Sequence, residues 1–325
     1  MTETATGLIY GHYIDANKPK KQITWRDVND WQPGQGVLWV HLDAVNETAL
    51  NWLEHNSGLS SMVKEALLEQ GTRPRSAVAE SGMIVIFRGV NCNPGADPED
   101  MVAIRMFITE QRIITMRRHR VRAIQDVHET LMSGNGPTTV GEFFVAVVDR
   151  ITDRIGDIVI DIEDRVTELE DTVVSAETAE LRPRLAELRR ESISLRRYIA
   201  PQRDMLSRLI HERIAWLTEQ DKTMLRETAE RTARYVEDID AARERALIAQ
   251  EELNSRLAEQ MNRAMYTLSI VAAIFLPLGL LTGLLGINVG GIPGTESPWA
   301  FLIVTVFLFL MAVFLIIWFK RLKWL

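Results

Sequence analysis

The sequence predicts an α+β membrane protein. A cytosolic α/β domain at residues 1–138 precedes a cytosolic helical region at 139–220, a stalk helix at 221–263 and two transmembrane helices at 264–285 and 299–319. Three observations carry that prediction. The runs from Ala264 to Leu285 and from Trp299 to Phe319 contain no charged residue. β-Rich patterning is confined to residues 36–116, and neither glycine nor proline interrupts the chain from Asp221 to Leu276.

Within the first domain, Val37–Leu42 and Met83–Phe87 read as strands and Met101–Met116 as a hairpin pair, whereas Thr48–Gln70 reads as helix broken at Ser57–Gly58. The basic run Arg117–Arg120 reads as a solvated strand end. A net charge of −7 argues against nucleic acid as a partner, and the single cysteine, Cys92, excludes a disulfide framework and fits a reducing compartment.

Beyond Thr139 apolar residues recur at helical spacing. Asp149, Asp153, Asp157, Asp161, Asp164, Glu168 and Asp171 fall every three or four residues, so carboxylates share a helical face. Like charges so placed cost roughly 0.2–0.5 kcal/mol per pair. Arg182, Arg184, Arg189, Arg190, Arg196, Arg197 and Arg203 of the next helix are the expected offset; a cation-attracting surface is the alternative. After a break at Pro201 and a short helix, a helical pattern starts near Asp221. A single helix from Asp221 to Leu285 would be roughly 65 residues, or about 97 Å at 1.5 Å each. Its stripe of Leu225, Val236, Ile239, Ala246, Leu253, Leu257 and Met261 suggests packing on copies of itself.

Each apolar run is long enough for a hydrocarbon core about 30 Å thick, which takes roughly 20 residues. Arg256 and Arg263 precede the first span and Lys320, Arg321 and Lys323 follow the second, while the connection at 286–298 holds no basic residue and one acid, Glu296. Both termini, including the basic tail at 320–325, are therefore expected in the cytoplasm and the connection outside. Met1–Lys21 carries no apolar core of signal-peptide length, so no cleavage is expected. Trp299, Trp318 and Trp324 fall near the interfaces.

Asn262, Met265, Ser269, Ala272, Leu276, Gly279 and Gly283 lie on one broad face of the first span. In a ring of copies that face would line a narrow, mostly apolar conduit. Alternatively, its glycines let the two spans approach closely. Pro277 should kink the span and leave the carbonyl of Ala273 without its ladder donor. At the outer end Gly286, Gly290 and Gly291 permit a tight backbone, and the Asn288 amide can accept from water around a hydrated cation.

Met261-Asn262-Arg263-Ala264-Met265, Phe275-Leu276-Pro277-Leu278, Thr282-Gly283-Leu284-Leu285-Gly286-Ile287-Asn288 and the basic tail from Phe319 resemble the CorA-type divalent cation transporter superfamily. Ile287 stands where most members carry Met. With Val289-Gly290-Gly291-Ile292-Pro293 behind it, and Arg88–Met101 in the soluble domain, it resembles the ZntB zinc-transporter branch. The resemblance runs from about Trp39 to the last residue.

It implies a homopentameric funnel in a bacterial inner membrane, with divalent metal ions as partners, Zn²⁺ as substrate and no organic cofactor. It also implies ion selection at Gly286, Ile287 and Asn288, and a pore lined by Asn262, Met265, Leu268, Leu276, Gly279 and Gly283 whose bulky apolar members gate by dewetting. Gly279 replaces the Thr common in magnesium-selective members. Glu227 falls where such members place a regulatory metal-binding Asp, and Glu296 is the loop's only acid.

Zinc in a dehydrated site favours Cys and His ligands, yet none occurs between Glu212 and Leu325. His12, His41, His55, His119, His128 and His211 show no ligand spacing. Zinc is therefore expected to cross at least partly hydrated. With no ionisable residue inside either span, proton coupling cannot use an intramembrane carboxylate. A magnesium, cobalt or nickel channel of the same architecture stands beside the zinc reading, and a membrane-anchored metal sensor is a third. No nucleophile–base pair or phosphate-binding glycine loop points to an enzyme.

Overall fold

The computed structural model describes residues 7–14, 22–79, 82–175, 180–287, 294 and 297–322. It separates into two compact units, residues 1–250 and 251–325. The strands are β1 (Leu8–Ile14), β2 (Val37–Asp43), β3 (Arg75–Ala79), β4 (Gly82–Gly89), β5 (Val102–Ile108) and β6 (Arg112–Arg117). The helices are α1 (Trp25–Asp30), α2 (Glu47–His55), α3 (Ser61–Leu68), α4 (Arg122–Met132), α5 (Val140–Ser175), α6 (Leu181–Leu209), α7 (Glu219–Leu285) and α8 (Ala300–Arg321).

In the first unit six strands form one sheet in the order β1-β2-β6-β5-β4-β3, with β2 and β6 parallel and every other pair antiparallel. Both faces are covered, which is why β2, β4 and β5 read as apolar runs and not as alternation. Leu38, Val40, Leu42, Ile84, Ile86 and Phe107 join Trp52, Leu53, Val63 and Leu67 of α2 and α3 in one core. On the other face Trp39 meets Phe143 of α5 at 4.7 Å and Phe87 meets Phe144 at 6.0 Å. The edge strands β1 and β3 lie outside the sequence expectation. β1 has a Gly at its centre, and β3 is short and mostly exposed, so neither presents a long buried run.

Four expectations need correction. α6 continues through Pro201 to Leu209, because Met205, Leu206 and Leu209 beyond it are fully buried and hold the last turns against the loss of one backbone donor. The acidic face of α5 is met chiefly by α7. Arg231 binds Asp149 and Asp153 (2.7 Å to Asp153), and Arg245 binds the neighbouring Glu170, while α6 supplies Arg184 to Glu168 at 3.0 Å. At Glu191 the polarity is reversed, since it accepts from Arg165 of α5 at 2.7 Å. Leu225, Val236, Ile239 and Ala246 of the α7 stripe are buried within the single chain, so that stretch is not free to pack on copies. Neither is the basic run wholly solvated: Arg117 and Arg118 are half-buried.

The sheet also assembles a histidine cluster. His12 Nε2 lies 3.0 Å from His128 Nδ1, Tyr10 stacks on His128 at 3.8 Å between centroids, and His41 Nδ1 lies 2.8 Å from Thr115 Oγ1. A hydrogen bond between two imidazoles needs one lone pair, so both cannot be charged. Burial, and then the neighbouring His128, hold the His12 pKa down to about 4; burial likewise holds His41 well below the ordinary value of 6.5.

The unfolded chain takes up protons that these folded imidazoles refuse. Stability is therefore complete above pH 6.5 and falls as pH drops toward 4, by on the order of 3 kcal/mol for His12 alone. Thermal melts of the full-length protein should show Tm falling across that window in wild type and falling less in His12→Gln; parallel curves would contradict this. Arg231→Met should cost about 1 kcal/mol, a small value because Asp149 and Asp153 are each more than a third exposed. An unchanged Tm would mean that this pairing does not stabilise α5 against α7.

Candidate functional site

The second unit contains the end of α7, the connection and α8. Its two apolar stretches have mean hydropathies of 2.3 and 3.2 over their best 18-residue windows, and neither window is covered by protein. Each nevertheless has one partly covered stripe. On α7 it includes Ile270, Ala273, Ile274, Leu278 and Leu281, and on α8 Val304, Leu308, Met311, Leu315 and Phe319; Ala272 and Val313 are partly covered outside these stripes. Spacings of three and four place each set on one helical face.

The sequence-predicted pore residues avoid that stripe. Asn262, Met265, Leu268, Leu276, Gly279 and Gly283 are all exposed, with Leu268 and Leu276 at 69% and 70%. At 100° per residue they centre on the side of α7 opposite Ile270 and Leu281. Apart from the helix's own neighbouring backbone, no described atom lies within 4 Å of where a Cβ would stand on Gly279 or Gly283, so within one chain these glycines are not packing surfaces for α8.

Polar chemistry along the span is sparse. Thr267, Ser269 and Thr282 donate to carbonyls of their own helix, at Arg263 (2.9 Å), Met265 (2.8 Å) and Leu278 (3.0 Å). Such bonds satisfy a hydroxyl without a partner from outside. Asn262, two residues before the span, is the one side-chain amide among the predicted pore residues that are described. The helix closes at Gly286, whose N–H donates to Thr282 O at 2.9 Å and Gly283 O at 3.2 Å, and Ile287 follows it half-exposed. Asn288 and Glu296 lie outside the described residues. Glu227 is an exposed carboxylate on the part of α7 that belongs to the first unit, with no ion pair among the described residues.

No group of three or more His, Cys, Asp and Glu side chains among the described residues is placed to hold a metal ion. What sequence spacing misses is the His12–His128 contact, whose members are 116 positions apart. Only the pairing of β1 beside β2, with α4 over that end of the sheet, brings them together, and no local pattern announces it.

Comparison with known proteins agrees with this architecture. The family described as CorA-like Mg2+ transporter protein matches residues 34–321. The divalent cation transporter CmaX of Pseudomonas aeruginosa is 38% identical over 98% of this chain and 97% of its own length. The zinc transport protein ZntB of Pectobacterium carotovorum is 35% identical over 98% and 97%. The solved structure of full-length CmaX superposes with a TM-score of 0.85 at 36% identity, covering 100% of both chains. With its N-terminal α/β unit, its long helix and its two apolar C-terminal helices, this chain belongs to the CorA-like family of divalent cation transporters.

Proposed function

We propose that the protein moves Zn²⁺ across a bacterial inner membrane as a homopentamer. The stalk part of α7 runs continuously into the first span, both termini are cytoplasmic, and the connection with Asn288 and Glu296 faces outward. Five copies of the exposed α7 face line the conduit, with α8 toward lipid. The observation that carries this reading is the exposure of Asn262, Met265, Leu268, Leu276, Gly279 and Gly283 on the side of α7 turned away from its covered stripe. A membrane protein exposes such a face either to lipid or to its own copies, and two glycines with no contact within the chain suit close approach between copies.

The mechanism follows from what the face lacks. Its hydroxyls are satisfied within the helix and it offers no thiolate, imidazole or carboxylate. Zinc therefore passes with water in its coordination shell, steadied at the mouth by Gly286, Ile287 and the Asn288 amide ring, which binds weakly enough for release. Leu268 and Leu276 narrow the route and exclude water when the helices close in. Glu227 is the position for a regulatory metal on the stalk. A second reading, a broader divalent channel for Mg²⁺, Co²⁺ or Ni²⁺, is favoured by the similarity to CmaX, described as a divalent cation transporter.

Zinc entry into dye-loaded proteoliposomes, with and without a pH gradient, tests the assignment. Wild type should respond and Asn288→Ala should lose most of the signal; response to Mg²⁺ or Co²⁺ but not Zn²⁺ would move the assignment to the second reading. Gly279→Leu should leave the fold intact, since open space surrounds the site, yet cut flux by roughly tenfold or more by adding apolar bulk to a narrow conduit. Undiminished flux in folded Gly279→Leu would place that face toward lipid.

A further inference from the structure

At one end of the sheet, where β4 ends and β5 begins, a cavity of about 520 Å³ opens between the α3–β3 loop and α6. Arg88, Arg105, Arg118 and Arg197 line it together with Tyr198 and His119. None of these four arginines forms an ion pair with a carboxylate among the described residues. Arg105 is buried and Arg88 and Arg118 half-buried, and charged side chains out of water are ordinarily paired, so for these three the arrangement is costly as it stands.

The guanidiniums are held in place by backbone and keep donors in hand. Arg105 is 3% exposed, and the one hydrogen bond it makes runs from Nε to Glu69 O at 2.8 Å, leaving four of its five N–H groups. Arg88 donates to Thr72 O through Nε and Nη2 (3.0 and 2.9 Å) and to Met101 O through Nη1 (2.7 Å). Arg118 has a buried Nε with no partner. Arg88 and Arg197 each lie over the ring of Tyr198, at 4.8 and 5.6 Å from its centroid.

The opposing charges are few. Glu99 and Asp100 also line the cavity, and Glu69 is engaged by Arg75 at 2.5 Å. Burial, and then the charges of Arg88 and Arg118, pull the Arg105 pKa down to about 10, the direction expected of a cation lacking its counter-ion. Arginine forks match phosphate oxygens with paired N–H donors.

We infer that this cavity is a binding site for a small phosphate-bearing anion, a diphosphate group held by Arg88, Arg105, Arg118 and Arg197. The site is separate from the ion pathway and does not depend on which metal the protein carries. Inorganic pyrophosphate and a nucleoside diphosphate share that chemistry; the nucleotide would in addition place its base near Tyr198. α6 is also tied to the stalk through Arg196, which donates to Asp240 of α7 at 2.7 Å, so an occupant of this cavity touches a helix bonded to α7.

Calorimetric titration of full-length protein in detergent, with pyrophosphate, ADP and AMP at low ionic strength, tests the inference. Saturable binding of pyrophosphate or ADP is expected, weakening as salt is raised. Arg197→Gln should weaken it about tenfold, the loss of one charge-assisted hydrogen bond, while Arg208→Gln elsewhere on α6 should not. Arg197 is exposed, so its variant tests the site without the folding risk that attaches to buried Arg105. Tighter ADP than pyrophosphate, reversed in Tyr198→Leu, identifies a nucleotide; the opposite order identifies an inorganic diphosphate. Absence of saturable binding up to millimolar pyrophosphate and ADP, or binding equal in wild type and Arg197→Gln, would overturn the inference.

Discussion

Hydrocarbon offers a backbone no hydrogen-bond partner, and that constraint governs the C-terminal quarter of this chain. Thr267, Ser269 and Thr282 of the first span each return a proton to a carbonyl three or four residues back, and the N–H of Gly286 closes onto Thr282 and Gly283. The face left over is apolar because nothing polar could be satisfied on it in a single chain. Along α7 the rules therefore change. Before Gln250, buried Thr228, Thr232, Ala242 and Ala246 alternate with charged residues that bind α5 and α6. From Ala264 to the end of α7 at Leu285 no charge appears.

In the soluble unit the corresponding constraint is a sheet covered on both faces. β2 carries it most plainly. Leu38, Val40 and Leu42 enter one core, so Trp39 and His41 must enter the other and bring their polar atoms with them. Thr115 on the neighbouring parallel strand answers both, accepting from Trp39 Nε1 at 2.9 Å and meeting His41 Nδ1 at 2.8 Å. Its own hydroxyl donates to Val40 O at 3.1 Å, so the network closes on the strand that created it.

Much of this was legible in the sequence. The spans, the strand runs at Val37–Leu42 and Met83–Phe87, the hairpin of β5 and β6 and the break at Ser57–Gly58 are local patterns set by period, length and glycine. What escaped were relations between distant segments. Period alone places seven acids on one face of α5, but it cannot say whether α6 or α7 lies against them. A stripe such as Leu225–Val236–Ile239–Ala246 announces burial without naming its partner, and here the partner is the same chain. Pro201 reads as a stop because its cost is local, while the packing of Met205, Leu206 and Leu209 that outweighs it is not. Histidines at 12 and 128 and arginines at 88, 105, 118 and 197 look scattered until the sheet and the helices packed on it gather them. For the candidate pathway, motif spacing placed Asn262 to Gly283 on one face, and what the coordinates add is which side of α7 is left open.

The pairing of β2 with β6 has a kinetic consequence. The two strands lie side by side in parallel, Leu38 against Arg112 and Asp43 against Arg117, so two further helices and three strands are enclosed between the partners. That contact cannot form until the intervening chain has been gathered, and contacts of such long sequence separation slow folding. β4, β5 and β6, joined by antiparallel neighbours close in sequence, are the natural first core, with β1 and β2 added as a later unit. Until then the apolar edge of β6 stands open, a strand edge that a nascent copy of the same chain could pair with before its own β2 arrives.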